Sequence, residues 1–469
     1  MTDTRRNSFA RAYIAKQKIP YSNFIFNGCF SFTHRDKNLL LSPDTGTTII
    51  VDNTLANNIK NCLFDDSLLL KLIQRRFVTN TNDHDVHSIH HDLFPTFFLI
   101  DITSSCNFSC TYCFRKRNDD EILISDSVLD DICEFIKLHC NTNDLRHIDI
   151  QPWGGEPLLA LNKIERIYNA FSGTDINIHI SLETNGSLLT EKTLRALAAM
   201  RVSVGISIDG PPEVQDSQRC FKNGDPSSSV LEKNISRLHA IKGLQNVNAI
   251  CVLTPESSLH VDEILEYFGR KLRIPHVKVN FAHSSNFSPY EGLSTTSAAI
   301  ETPLRDILLS IRRLYKEDIV INEGNISQRL KNLLLRDSSS ICISRGCVGG
   351  YKMVSFDRWG NIFPCELLDY PDEKIGNIYD GKPLGAIVQD AVKTHRYFIP
   401  KTSPSCLDCP WRYYCQGGCT SALTYAGKHP PQIDDAQCLI NNFLYPELIK
   451  MCLSEPDLVN AMLEMDILQ

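Results

Sequence analysis

Phe97-Phe98-Leu99-Ile100-Asp101-Ile102-Thr103-Ser104-Ser105-Cys106-Asn107-Phe108-Ser109-Cys110-Thr111-Tyr112-Cys113 is the stretch on which the fold turns. Residues 97–102 are apolar at most positions, the pattern of a strand covered on both faces. Three cysteines follow directly, spaced so that their Cα positions can converge on one metal site. The strand pattern recurs at 147–151, 176–182, 202–208, 247–253 and 276–281. Helical stretches lie between, near 127–138, 158–171, 191–199, 229–240 and 261–272. Six such units predict an α/β fold, a curved parallel sheet with an outer layer of helices. A closed eight-stranded barrel would need two more units, and none precedes the next cysteine group.

Outward from this segment the text changes. Residues 1–15 read as a flexible lead, and 23–77 as a small α+β unit with strands at 39–41 and 48–51 and helices at 55–62 and 67–77. The polar stretch 79–91 reads as a linker, and its four histidines are spaced too loosely for a convincing metal site. Beyond the sheet, helices at 304–315 and 327–335 bridge to a Cys- and Gly-rich region that runs to about Cys438, and a helical tail follows. The expected divisions are 1–95, 96–300, 301–340, 341–440 and 441–469.

The 469 residues are 42% hydrophobic and 22% charged, which predicts a well-cored chain of two to four domains and excludes a disordered one. A net charge of -7 gives no support to a nucleic-acid partner. No apolar run is long enough for a membrane span, and the first residues lack a signal peptide's apolar core, so the expected location is cytoplasmic.

Eighteen cysteines are many for a reducing compartment. Cys29, Cys62, Cys133, Cys140, Cys220, Cys251 and Cys452 stand alone and read as small buried hydrophobes. The others are grouped, three at 106–113 and eight at 342–438, tightly enough to wrap metal. Three thiolates on a four-iron cluster leave one iron open to chelation by an amino acid's amine and carboxylate. A zinc knuckle would need a fourth ligand nearby, and the local sequence has none.

Cys106-x3-Cys110-x2-Cys113 after a first strand resembles the motif of the radical SAM superfamily, whose fold is a partial (β/α)6 TIM-like barrel. The resemblance implies a [4Fe-4S] cluster that passes one electron to S-adenosylmethionine, releasing methionine and a 5'-deoxyadenosyl radical that abstracts hydrogen from substrate. Trp153-Gly154-Gly155-Glu156-Pro157 ends the second strand; the glycines permit close backbone approach and Glu156 can accept from an ammonium. In the family this segment holds the methionine amino group, although alone it reads as a turn entering a helix. Asn185, in Thr184-Asn185-Gly186, reads equally as a cofactor contact or a turn residue. The resemblance further places Ser207 and Arg219 near the cofactor's carboxylate and ribose, and Tyr112 near the adenine. All lie on the C-terminal side of strands, where parallel barrels carry their chemistry.

The second group reads Cys342-x4-Cys347, Gly360-x4-Cys365, Cys406-x2-Cys409-x5-Cys415-x3-Cys419 and Cys438. It resembles the SPASM extension of peptide- and protein-maturing enzymes. That implies a nearer auxiliary [4Fe-4S] cluster on Cys342, Cys347, Cys365 and Cys419, and a farther one on Cys406, Cys409, Cys415 and Cys438. A substrate or water could replace one thiolate, and zinc on the Cys-x2-Cys pair is the plainer rival. Trp411-Arg412-Tyr413-Tyr414 reads as packing that shields a cluster from water. Glu366 follows a ligand of the nearer cluster, at a place where related sulfatase maturases carry an Asp that takes a proton; the alternative is a surface acid.

The resemblance as a whole implies a peptide maturase that consumes S-adenosylmethionine and holds three [4Fe-4S] clusters. Its substrate would be a ribosomally made precursor peptide whose leader the N-terminal unit holds by strand addition, and its product a C–C (cyclophane-type) or thioether cross-link. An external donor such as flavodoxin or ferredoxin would supply electrons. A sulfatase maturase oxidising Cys or Ser to formylglycine is the alternative, usually lacking a front module; a peptide epimerase is another. An electron-transfer scaffold without chemistry of its own is disfavoured by the triad beside Gly154-Gly155-Glu156-Pro157.

Overall fold

The computed structural model describes residues 24–26, 28–61, 63, 65–75, 77–80, 94–115, 121–241, 243–282, 296–337, 342, 346–394, 404–425 and 432–468. The lead at 1–15, Cys62 and the four histidines of 79–91 fall outside them. In the N-terminal part β1 (Phe24–Phe26) is followed by a meander of β2 (Phe30–His34), β3 (Lys37–Leu41) and β4 (Thr48–Asp52), and β5 (Val78–Asn80) pairs antiparallel with β1. The stretch read as a linker therefore opens with a strand. Helices Asn53–Lys60 and Asp66–Gln74 start where Asp52 and Asp65 accept from the N–H of Leu55 and Leu68, each at 2.7 Å. The alternation of β3 divides its burial: Leu40 packs with Ile59, Leu72 and Phe77, while Leu39 and Leu41 join the main core.

The main sheet has ten strands in the order β12-β11-β10-β9-β8-β7-β6-β13-β14-β15. Six come from the predicted strand–helix repeat: β6 (Phe97–Thr103), β7 (His147–Gly154), β8 (Asn177–Thr184), β9 (Ser203–Ser207), β10 (Gln245–Leu253) and β11 (His276–Phe281), each parallel to the next. The two-residue β12 (Asn322–Glu323) extends one side. On the other, β13 (Met353–Phe356) lies parallel to β6, and β14 (Asn361–Phe363) and β15 (Gly376–Asn377) continue antiparallel, so the cysteine-rich region is part of the same sheet. The sheet is thus mixed, with β12 and β15 at its edges.

The helix Asp126–Thr142 illustrates the outer layer. Ser125 caps it, and Leu129, Ile132, Cys133, Ile136 and Cys140 recur on one buried face. Strands apolar at most positions were expected, and two of them alternate instead. Along β8, Ile180 and Leu182 are buried while Asn177, His179 and Glu183 are exposed, and on β11 Val277 and Val279 are buried while Lys278 is exposed. On these two strands one face is covered and the other more exposed, whereas β6, β9 and β13 are buried at nearly every position. Two helix boundaries also shift. The stretch 261–272 is an α-helix Val261–Glu266 followed by a π-turn Tyr267–Leu272, and the helix expected from 304 begins at Ser297.

The aromatic run at 411–414 does more than cover cysteines. Trp411 is stacked between Phe32 of β2 and Tyr445 of the helix Asp435–Ser454, at ring-centroid distances of 5.4 and 4.7 Å. Tyr414 donates to the Gly46 carbonyl at 2.5 Å, and Arg412 pairs with Asp44 at 2.6 Å. The N-terminal meander is therefore seated on the loop that joins Cys409 to Cys415.

Candidate active site

The loop Cys106–Cys113 is held on three sides, by the ends of β7 and β8 and by residues 218–221 at the end of the helix Pro212–Gln218. Gly155 N–H donates to Thr103 O and Glu156 N–H to Ser105 O, both at 2.8 Å. A Cβ on Gly154 would stand 2.0 Å from Thr103 O, and one on Gly155 2.2 Å from Ser105 O. Only glycines fit, because the strand end lies directly on the backbone that leads into Cys106. The close approach is thus to the protein's own chain. On the second side, Asn185 Nδ2 donates to Asn107 Oδ1 at 2.8 Å and lies 3.9 Å from Cys106 Sγ. On the third, Ser109 N–H and Thr111 N–H donate to the carbonyls of Cys220 and Gln218 at 2.8 and 2.9 Å, and Phe108 packs edge-on against Phe221.

Glu156 is fully buried and already engaged. Its Oε1 accepts from Leu158 N–H and Thr184 Oγ1, and its Oε2 from Asn185 N–H, at 3.0, 2.7 and 2.7 Å. The carboxylate braces the ends of β7 and β8 where an ammonium acceptor was expected. Burial raises its pKa and these three bonds oppose the rise. Arg219 donates to Tyr112 Oη at 2.5 Å, and Tyr112 donates to Asp209 Oδ2 at 2.6 Å. Asp209 also accepts from Gln218 Nε2 and Val252 N–H, at 2.8 and 3.0 Å. The hydroxyl of Tyr112 is thus committed to this network. Asp209 and Gln218 were missed in the sequence; the signal for Asp209 was its place at a strand end in Ser207-Ile208-Asp209-Gly210. Ser207 closes β9 opposite Ile250.

The charges of Cys106, Cys110 and Cys113 act on one another, and Arg219 acts on Cys106 and Cys110. Burial pushes the Cys110 thiol up to about 11 while Arg219 draws it down. Arg219 Nε is buried with no hydrogen-bond partner among the described residues. Among those residues no three Cys, His, Asp or Glu side chains converge as a single metal ion requires. A four-iron cube makes a different demand, since each thiolate binds its own iron. Three adjacent thiols, an orphaned guanidinium N–H fit for a carboxylate, and an adjoining cavity of about 360 Å³ that reaches Cys106 fit such a cluster with a bound amino acid.

The second cysteine group separates into two neighbourhoods. Cys347 and Cys419 act electrostatically on both Cys342 and Cys365. Cys409 acts on Cys415 and Cys438, and Cys406 on Cys409 and Cys438. Cys406, Cys409, Cys415 and Cys438 line one cavity of about 250 Å³, with Trp411 and Arg412. Glu366 lies near Cys342 and Cys365, and its Oε2 is buried without a partner among the described residues, so the surface-acid reading does not hold. Burial, reinforced by Glu183 and Asp369 and opposed by Lys278, lifts Glu366 to about 7. Of the solitary cysteines, Cys133, Cys140, Cys251 and Cys452 are buried as expected, whereas Cys29 and Cys220 are half-buried.

Residues 100–275 match the model of the Radical SAM superfamily, and that part of the chain is a radical SAM domain. The chain is 26% identical over 336 residues to a cysteine-type anaerobic sulfatase-maturating enzyme of Clostridium perfringens, covering 68% of this chain and 86% of that one. It is 23% identical over 440 residues to the radical SAM cyclopropyl synthase TigE of Paramaledivibacter caminithermalis, covering 88% and 87%. The solved structure of native anSMEcpe with bound AdoMet and Cp18Cys peptide shares the fold, with a TM-score of 0.64 at 23% identity over 76% of this chain and 98% of that one. Among the described residues no helix is long and apolar enough to cross a membrane.

Proposed function

We propose that this chain modifies a peptide or protein by S-adenosylmethionine radical chemistry, with Cys106, Cys110 and Cys113 as ligands of a [4Fe-4S] cluster. The observation that carries the reading is the triad loop, pinned by backbone bonds beside an Arg219 Nε–H that has no hydrogen-bond partner among the described residues. When bound, the cluster supplies the electron that cleaves the sulfonium and yields the 5'-deoxyadenosyl radical. The chain's own residues then have separate tasks. Gly154 and Gly155 fix the approach to Cys106, Glu156 and Asn185 brace the neighbouring strand ends, and Arg219, held by Tyr112 and Asp209, offers its N–H to the methionine carboxylate. Ser207 would lie near the same cofactor. We read the open parallel sheet as the partial (β/α)6 barrel of the family, and the region 341–440 as a SPASM domain. Its two cysteine neighbourhoods would hold auxiliary [4Fe-4S] clusters, and Glu366 beside the nearer one would take the proton that the substrate loses. The electrons would come from an external donor such as flavodoxin or ferredoxin.

Two substrates are supported by different observations. The higher identity and the peptide-bound relative favour oxidation of Cys or Ser to formylglycine. The match that extends over 88% of the chain, to a cyclopropyl synthase, together with the N-terminal unit seated on Trp411 and Tyr414, favours cross-linking of a leader-bearing precursor peptide. Reconstituted enzyme, reductant and S-adenosylmethionine incubated with capped peptides that contain Cys or Ser separate them. A cross-link removes hydrogen without reaction toward an aldehyde-selective hydroxylamine; formylglycine reacts with it. Formation of 5'-deoxyadenosine with every peptide unchanged would refute both. Glu366→Gln should slow product formation, and a near-normal rate removes Glu366 as the base.

A further inference from the structure

Sheet register sets Asp101 of β6 beside Trp153 of β7, and a buried polar cluster surrounds this pair. Arg115 and Arg358 both donate to Asp101 Oδ2, the former at 2.7 Å. Arg115 also covers the Trp153 ring, 4.1 Å from its centroid, and lies 4.0 Å from Asp369. Asp101 is 3% exposed and Trp153 8%. Even so, Asp101 Oδ1, Arg115 Nη1, Arg358 Nε and Trp153 Nε1 are buried and have no hydrogen-bond partner among the described residues. Leaving one such group unpaired costs about 1–3 kcal/mol, so four in one cluster mark a seat for a polar group that is brought from outside. Gly154 keeps the seat open, since a Cβ there would stand 3.0 Å from Asp101 Oδ1.

The chemistry of that group follows from charge and from the sense of each bond. Two guanidiniums, Arg115 and Arg358, face two carboxylates, Asp101 and Asp369, which leaves no surplus charge to attract an ion. Three orphaned atoms donate and one accepts. A peptide amide offers a carbonyl to the donors and an N–H to Asp101, without charge. The seat lies between the two regions assigned to chemistry, because Cys113 acts on Arg115 from one side and Asp369 follows Glu366 on the other. We propose that Asp101, Arg115 and Trp153 bind a backbone amide of the substrate peptide, with Arg115 and Trp153 as the positioning residues. This rests on the peptide-modifying reading above.

The test is equilibrium dialysis of the iron-loaded enzyme against isotope-labelled N-acetylglycine N-methylamide, acetate and methylguanidinium. The amide should bind saturably and at least about tenfold more tightly than either ion. Arg115→Lys, which keeps the charge but loses the planar fork, should weaken amide binding about tenfold, and Trp153→Phe, which keeps the ring but loses its N–H, about threefold. Iron measured on the same samples separates a lost seat from a lost fold, and either variant suffices if the other loses iron. Equal binding of the three probes, tighter binding of acetate, or unchanged amide affinity in the iron-replete variants would overturn the proposal. The dialysis needs no turnover. Enzyme that binds the amide selectively but modifies no peptide refutes the peptide-modifying reading, whereas enzyme that modifies a peptide and fails the dialysis refutes this seat alone.

Discussion

Cys106, Cys110 and Cys113 lie on one short loop tied by main-chain bonds to the end of β7 and to residues 218–220, whereas the cysteines from Cys342 to Cys438 come from separate turns, short helices and the helix Asp435–Ser454. The first loop has its shape from the protein itself: Thr103, Ser105, Ser109 and Thr111 are all tied by main-chain bonds. The second region has a sheet edge and an aromatic stack, and among the described residues main-chain bonds join Gly346 to Tyr414, Gly350 to Pro364 and Asp434 to Gly417. Its thiols nevertheless come from segments far apart in sequence, so whatever they hold ties together more of the second region than of the first. The comparison predicts opposite responses to the loss of a ligand.

The largest effect is expected from Cys110→Ser. Formation of 5'-deoxyadenosine should fall below detection and one cluster's iron should be lost, while the melting temperature barely moves, because the loop's main-chain bonds survive. A collapse in melting temperature would show that this loop, too, is shaped by its occupant. Removal of all iron by a chelator should next divide the molecule. Hydrogen exchange should quicken across 342–438 and stay slow in β6 to β11. The meander β2 to β4 should loosen with the first group, because its seat is Trp411 and Tyr414. Trp411→Ala should reproduce that loosening with iron retained, at a cost of about 3–5 kcal/mol for a truncated buried aromatic. Tyr414→Phe, which removes only the bond to Gly46 O, should cost about 1 kcal/mol. Both are read by chemical denaturation with proteolysis of the N-terminal part.

The same contrast explains what could be read beforehand. The six strands of the repeat were legible because each is a run of four or more residues with buried neighbours, and the triad because its spacing is compact. β13 to β15 were not, since strands of two to four residues among Gly and Cys have no period to detect. The contacts of Asp101 and Asp209 were hidden for a different reason. Their partners, Arg358 in one case and Tyr112 in the other, stand 257 and 97 residues away, and only the folded sheet brings them together. Glu156 was placed correctly at a strand end, but its bonds to Thr184 and Asn185 could not be read, because those donors come from the next strand and the turn after it.

The smallest effect should come from a charge that no motif announced. Arg329 is 2% exposed, and its Nε donates to Asn441 Oδ1 at 3.0 Å and its Nη1 to Asn325 O at 2.9 Å. Asn441 in turn bonds the thiol of Cys415, so a buried cation stands one side chain away from the farther cysteine set. Burial draws the Arg329 pKa down, yet a guanidinium stays charged at neutral pH. Thiolate-bound iron–sulfur centres gain negative charge on reduction, and a cation in low dielectric favours the reduced form. Arg329→Met preserves much of the volume and removes the charge. In a potentiometric titration followed by electron paramagnetic resonance, one auxiliary midpoint should move to more negative potential, with iron content and the other midpoints unchanged. A shift of both auxiliary midpoints by the same amount would mean that the cysteines from Cys342 to Cys438 respond as one body, and that their division into two neighbourhoods does not extend to their electrostatics.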